Sequence, residues 1–244
     1  MIELDDVSLA FEHPVLHRVS LTVPRGKLYG LIGPGAAGKS VILKLIPRLL
    51  EPTSGRILVD GQDVNHLSAL ELVELRKGIG MLFQNNALFD FMTVEQNIAF
   101  PLTQLFGLSL AEAATRVSTR LKAVGLPGFE TRHPSGLSGG QKKRVGVARA
   151  TITEAPIVLY DEPAAGLDPV SSQKLFELLR AEQQARNSTV LMVSSDVERL
   201  LTVTDYVGML LKGELIFEGT TEQARCSSNV FVKQFLRGEV DGPL

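Results

Sequence analysis

The chain has 244 residues, a formal net charge of −2 and 44% hydrophobic residues, which suits one larger α/β domain with a full core. No run approaches the roughly 18 consecutive apolar residues of a membrane span, and the acidic start Met1-Ile2-Glu3-Leu4-Asp5-Asp6 lacks the basic-then-apolar layout of a signal peptide. The chain is therefore expected in the cytoplasm, with any membrane role left to partner subunits; the single cysteine, Cys226, excludes an internal disulfide, and the absence of a long basic run argues against nucleic acid as the main partner.

In chain order, strand-like runs cover Ile2–Phe11 and Val15–Val23, with a turn at Pro24-Arg25-Gly26. Leu28–Ile32 is a compact apolar run of the buried parallel kind. A Gly-rich loop follows, then helical spacing over Val41–Leu50, and a break at Pro52-Thr53-Ser54-Gly55. Ile57–Val59 reads as a strand before the hairpin-type turn Asp60-Gly61, and Ile79–Phe83 as another apolar strand. Residues from about 90 to 135 change character and read as a helical insertion, clearest over Ala111–Val124. The α/β pattern resumes with a helix at about Gly139–Thr153 and a strand at Ile157–Tyr160. A helix at Ser171–Arg186 and a strand at Thr189–Val193 come next, then the pair Val207–Leu211 and Glu214–Glu218. From Ser227 the chain reads as a short tail.

Three motifs carry chemistry. Gly33-Pro34-Gly35-Ala36-Ala37-Gly38-Lys39-Ser40 fits the phosphate-loop pattern, lies between a strand and a helix, and continues into Val41. Glycines let main-chain N–H groups converge on an anion, and the helix N-terminus adds positive potential. Lys39 is expected to reach the β- and γ-phosphates, and Ser40 to ligate Mg²⁺. Ile157–Tyr160 ends in Asp161-Glu162. At the carboxyl end of a strand, Asp161 is expected near Mg²⁺ and Glu162 as the general base for water. Leu137-Ser138-Gly139-Gly140-Gln141 precedes a basic helix and reads as a second phosphate-binding helix start.

This last run, with its continuation Lys142–Ala150, resembles the LSGGQ signature of ABC ATPases. The resemblance spans essentially the whole chain. It implies a P-loop NTPase fold with a RecA-like core, an antiparallel β subdomain and a helical subdomain at about 90–153. The ATPase domain would cover residues 1–226 and a short tail 227–244. It also implies ATP and Mg²⁺ as ligands. The active form would be a head-to-tail homodimer in which Ser138, Gly139, Gly140 and Gln141 of one copy close over the phosphates held by the other. In the same family pattern Phe11 corresponds to an aromatic that stacks on adenine. Gln84 corresponds to the Q-loop glutamine that touches Mg²⁺ and senses the membrane partner, and Asp168, in Ala165-Gly166-Leu167-Asp168, to the D-loop.

One departure matters. The family expects a histidine after the strand Thr189–Val193, and this chain has Ser194-Ser195-Asp196. Ser195 holds the histidine's place with a shorter side chain and no imidazole. Two readings stay open: a slow but competent ATPase, or a subunit that binds nucleotide and hydrolyses it poorly.

Asn86–Leu102 and the ending Val232–Leu244 resemble the corresponding segments of Mla/Mce-type lipid-transport ATPases, although Gln141 stands where many of those proteins carry Met. That resemblance implies lipid transport at the cytoplasmic face of the inner membrane. The partners would be a permease dimer, an Mce-domain lipid-binding protein and, in some systems, a STAS-domain protein. Leu88, Phe89 and Phe91 would form a patch for a permease helix, and the tail would reach the second ATPase copy. A small-solute importer and a nucleotide-gated regulatory module are the alternatives. A DNA-repair ATPase is disfavoured, because there is no room for a long coiled coil between the phosphate loop and the signature.

Overall fold

Alternating burial marks β1 (Ile2–Ala10) and β2 (Pro14–Val23), which pair antiparallel. By contrast β3 (Leu28–Ile32) is buried at every residue, as a strand covered on both faces must be. It leads into α1 (Lys39–Leu45). β4 (Ser54–Val59) turns through Asp60 and Gly61, both at positive φ, into β5 (Gln62–Asp63), the turn that Asp-Gly favours. Then come α2 (Ala69–Lys77), β6 (Ile79–Leu82), α3 (Val94–Phe106), α4 (Leu110–Ala123) and α5 (Gly139–Thr151). They are followed by β7 (Ile157–Asp161), α6 (Pro169–Arg186), β8 (Thr189–Val193) and α7 (Val197–Val203). The chain closes with β9 (Tyr206–Leu211), β10 (Glu214–Thr220), α8 (Thr221–Arg225) and α9 (Val230–Arg237). The computed structural model describes all residues 1–244.

Two sheets result. The first has the order β2-β1-β4-β5 and is antiparallel. The second has the order β10-β9-β3-β8-β7-β6 and is parallel except for the β9–β10 hairpin. One apolar core lies between the antiparallel sheet, α1 and one face of the parallel sheet. The larger core packs the other face against α3 to α6 and reaches Val232 in α9. This puts the carboxyl ends of β3, β7 and β8 on one edge, where α/β sheets bind ligands.

Side-chain caps fix most helix starts. Ser68, Thr93, Ser109, Ser138 and Thr220 each form a reciprocal capping box with a Glu or Gln three residues on. Asp168, Asp196 and Asn229 cap α6, α7 and α9. Only α1 begins without a side-chain cap, and it is the helix that follows the phosphate loop.

The structure departs from the sequence reading in places. The helix expected over Val41–Leu50 starts at Lys39 and stops at Leu45. Pro47 follows, Arg48 turns to φ +51 and Leu49 N–H closes on Lys44 O at 2.8 Å. The insertion is α3 and α4, separated from α5 by a stretch whose one regular element is a short 3-10 turn at Pro134–Gly136. The segment read as a tail from Ser227 carries α9, whose Val232 and Gln234 are buried, and Leu244 N–H reaches back to Gln234 Oε1 at 2.8 Å. Helix α9 packs on the chain's own core through Val232, while residues 238–244 are exposed.

Candidate active site

The phosphate loop links β3 to α1 over an open hollow of about 470 Å³. Its backbone is far from regular: φ is +142° at Gly33, +58° at Ala36 and +101° at Gly38. Gly33 is required, because a Cβ there would lie 2.1 Å from Leu210 O. The N–H groups of Gly35, Ala36 and Gly38 find no acceptor in the chain. With the uncapped start of α1, they form a ring of free donors of the kind that cradles phosphate.

Around this hollow stand Lys39, Ser40, Val41, Gln84 and Glu162. Lys39 Nζ is folded back onto Gly33 O and Pro34 O, both at 2.7 Å. Burial lowers its pKa, against the pull of Glu162 and Asp161. Ser40 Oγ donates to Asp161 Oδ1 at 2.8 Å. Burial pushes the Asp161 carboxyl up, against the Ser40 hydrogen bond and the charges of Lys44, Lys143 and Lys39. A hydroxyl and a carboxylate joined beside free N–H donors suit a hard cation shared with phosphate oxygens.

Glu162 is held at three points. Its backbone is left-handed at φ +49, and its N–H donates to Val193 O at 2.9 Å. Its carbonyl accepts from Lys143 Nζ at 3.1 Å. Its carboxylate Oε2 accepts from both Ser195 N–H and Ser195 Oγ, each at 2.9 Å. A strained residue this over-determined marks a functional position. Ser195 therefore meets the acid directly, through main chain and side chain alike.

Other residues singled out in the sequence lie apart from the hollow. Phe11 does not line it; the ring is 61% exposed just past β1. Ser138 Oγ accepts from Gln141 N–H at 3.3 Å and Gln141 Oε1 accepts from Ser138 N–H at 3.0 Å, so both side chains are spent on the cap of α5. The N–H groups of Gly139 and Gly140 stay free at that helix start. Asp168 accepts from Val170 and Ser171 N–H, and these bonds, Ser171 first, hold its carboxyl below the usual range. No signature residue lines the hollow of the same chain.

Three residues that the motifs did not point to organise the surroundings. Lys143 donates to Gln84 O as well as Glu162 O. Arg149 donates to Asn86 O and, at 2.7 Å, to Ala87 O. Asn97, fully buried, accepts from Phe89 N–H at 2.8 Å and donates to the Phe89, Met92 and Thr93 carbonyls. It rivets the loop carrying Phe89 and Phe91, and Phe91 is left 77% exposed. A polar residue at an apolar helical position was the available signal for Asn97.

The family described as ABC transporter matches residues 16–165, which covers the phosphate loop, the signature and the acidic pair. The chain belongs to the ABC transporter ATP-binding family. It is an ABC ATPase of mixed α/β fold that binds ATP, with the core and the two subdomains expected from its sequence. It is 39% identical, over its whole length and 93% of the relative, to the intermembrane phospholipid transport system ATP-binding protein MlaF of Haemophilus influenzae. It is 38% identical to the probable ribonucleotide transport ATP-binding protein mkl of Mycobacterium bovis, over 68% of that protein. Its fold superposes with a TM-score of 0.85 and 30% identity on the ATP-binding cassette MJ0796, solved as a dimer in a post-hydrolysis state with ADP and Pi. That likeness covers 91% of this ABC ATPase and 99% of the cassette. No helix of the chain is long and apolar enough to cross a membrane.

Proposed function

We propose that this chain hydrolyses ATP as a pair of identical subunits and thereby powers a phospholipid transporter whose membrane-spanning part is a separate permease. The observation that carries the hydrolytic half is the grip of Ser195 on Glu162 at the mouth of the phosphate-loop hollow. That grip fixes one oxygen of the acid and leaves Oε1 to take a proton from water. Lys39 would leave the Gly33 and Pro34 carbonyls for the phosphates. Ser40 and Asp161 would hold Mg²⁺, and Gln84 would complete its shell. The ion would offset phosphate charge as it does in other P-loop enzymes.

A second copy would complete the site: the N–H groups of Gly139 and Gly140 are free, no signature residue lines the chain's own hollow, and the similar cassette MJ0796 is solved as a dimer. Phe11 would lie against the adenine, and Asp168 would sit near the opposing site. Ser195→His loses the Oγ bond but keeps the main-chain N–H bond of residue 195 to Glu162 Oε2, and it is expected to raise phosphate release by the assembled complex, since an imidazole can reach a phosphate that serine cannot; unchanged turnover would mean that Ser195 does not limit it.

A relative named for phospholipid transport that matches along nearly its full length supports the lipid half. The mkl relative supports a second reading, a polar nucleotide as cargo, but over a smaller share of its length. An apolar hollow of about 330 Å³ lined by Met81, Phe83, Phe89, Phe100 and Leu105 offers a seat for a permease helix. An Mce-domain protein, and a STAS-domain protein, would complete the assembly at the cytoplasmic face of the inner membrane. The test is to tag the chain in its native host and identify what is purified with it in mild detergent. A permease with an Mce-domain protein and bound phospholipid is expected; a permease with a solute-binding protein would overturn the lipid assignment.

A further inference from the structure

Beta strands β6 and β7 run side by side, and their ladder ends at the pair Leu82–Tyr160. Two residues further along each strand lie Gln84 and Glu162. No main-chain bond joins them. Their carbonyls are joined instead by one ammonium, because Lys143 Nζ donates to both. Lys143 thus replaces a rung of the sheet at the point where the strands part.

Lys143 comes from α5, the helix that opens with Ser138. It is only 6% exposed and has no carboxylate partner within ion-pair distance. A buried cation is costly unless its donors are used, and two of its three N–H groups are used on these carbonyls. The helix can come this close because two glycines face each other's strand and helix. A Cβ on Gly80 would lie 2.0 Å from Ala150 O, and one on Gly146 would lie 2.7 Å from Leu82 Cδ1. Further along α5, Arg149 holds the next carbonyls of the same loop, at Asn86 and Ala87.

We infer that Lys143 is a positioning residue for ATP hydrolysis: it ties the Gln84 loop to the backbone of Glu162, so that the loop expected to face the permease and the acid that handles water move as one body. This rests on the hydrolytic reading of Glu162 given above. The Lys143 ammonium makes its hydrogen bonds to Gln84 O and Glu162 O and none to the phosphate loop or Ser40, so its loss should act on turnover rather than on nucleotide affinity.

The test uses the assembled complex with its permease. Lys143→Met keeps the length and removes the donors; Lys143→Arg keeps donors; Lys143→Gln serves if the methionine variant does not fold. Thermal unfolding is followed for each. Lys143→Met is expected to lower kcat about tenfold or more while the Kd for a fluorescent ATP analogue with Mg²⁺ stays within about twofold. Lys143→Arg should recover most of the loss. Combined with Gln84→Ala, Lys143→Met should cost much less than the product of the two single effects, as expected for residues acting through one element. Glu162→Gln is measured alongside. If Glu162→Gln is inactive while Lys143→Met, or the glutamine variant in its place, keeps its kcat, the role of Lys143 is refuted and the site reading stands. The same holds if kcat falls together with affinity, or if the double variant is additive. If Glu162→Gln itself keeps turnover, the site reading fails first.

Discussion

The two ends of the parallel sheet use the same residue types to opposite effect. Where the strands begin, polar groups are answered. Asp205 accepts from Leu28 N–H at 2.9 Å and from two Arg180 nitrogens at 2.9 and 2.7 Å. Gln183 Nε2 donates to Gly26 O at 2.8 Å and Ser188 O at 3.0 Å, and Gly26 N–H meets Thr189 Oγ1 at 3.0 Å. Burial alone would raise the Asp205 carboxyl, but the Arg180 bond, the Leu28 N–H and the charges of Arg180 and Lys27 outweigh it and leave it below its ordinary value. Where the strands end, the balance is reversed. Asp161 is held above its ordinary value, Lys39 below, and Glu162 sits left-handed. One end anchors the fold; the other keeps charge and donors in readiness for a ligand, at a cost in stability.

Unfolding measured against pH for Asp205→Asn and Asp161→Asn tests that contrast. The larger effect belongs to Asp205→Asn, which should cost about 2 kcal/mol at neutral pH by leaving the mostly buried Arg180 unpaired. A carboxyl whose folded pKa is depressed lends stability above its unfolded pKa and loses it as pH falls through the folded one. Variant and parent should therefore converge in acid. The smaller effect has the opposite sign: Asp161→Asn should gain about 1 kcal/mol at neutral pH. A carboxyl whose folded pKa is raised costs nothing below the unfolded value and reaches its full cost above the folded one. This gain should fade as pH falls through that window. Two changes of the same sign at neutral pH would end the contrast.

What was legible in the sequence was contiguous. The phosphate loop, the acidic pair and the signature each announce themselves within eight residues, and the central strands β3, β7 and β8 stand out as compact, mostly apolar runs. What was hidden acts across the chain through main-chain groups. Lys143 and Arg149 serve carbonyls about sixty residues away, and a carbonyl leaves no mark on residue identity. Ser195 was visible as a departure, but its bond to Glu162 depends on β8 lying beside β7. Helix α2 has no buried residue, so it shows no apolar period; its capping box and the bonds from Arg76 to Pro47 O and Arg48 O hold it. For α9 the signals were present: an Asn229 cap, apolar residues at 232, 235 and 236, and Gly238 at φ +63 to end it.

The central claim is that hydrolysis depends on Glu162, held ready by Ser195 beside the phosphate loop. Its most direct test is steady-state phosphate release by the Glu162→Gln variant, with size-exclusion chromatography in ATP and Mg²⁺. The account predicts a loss of about a hundredfold or more in turnover, with retained ATP binding and accumulation of the ATP-bound dimer. Turnover close to the parent's would contradict it.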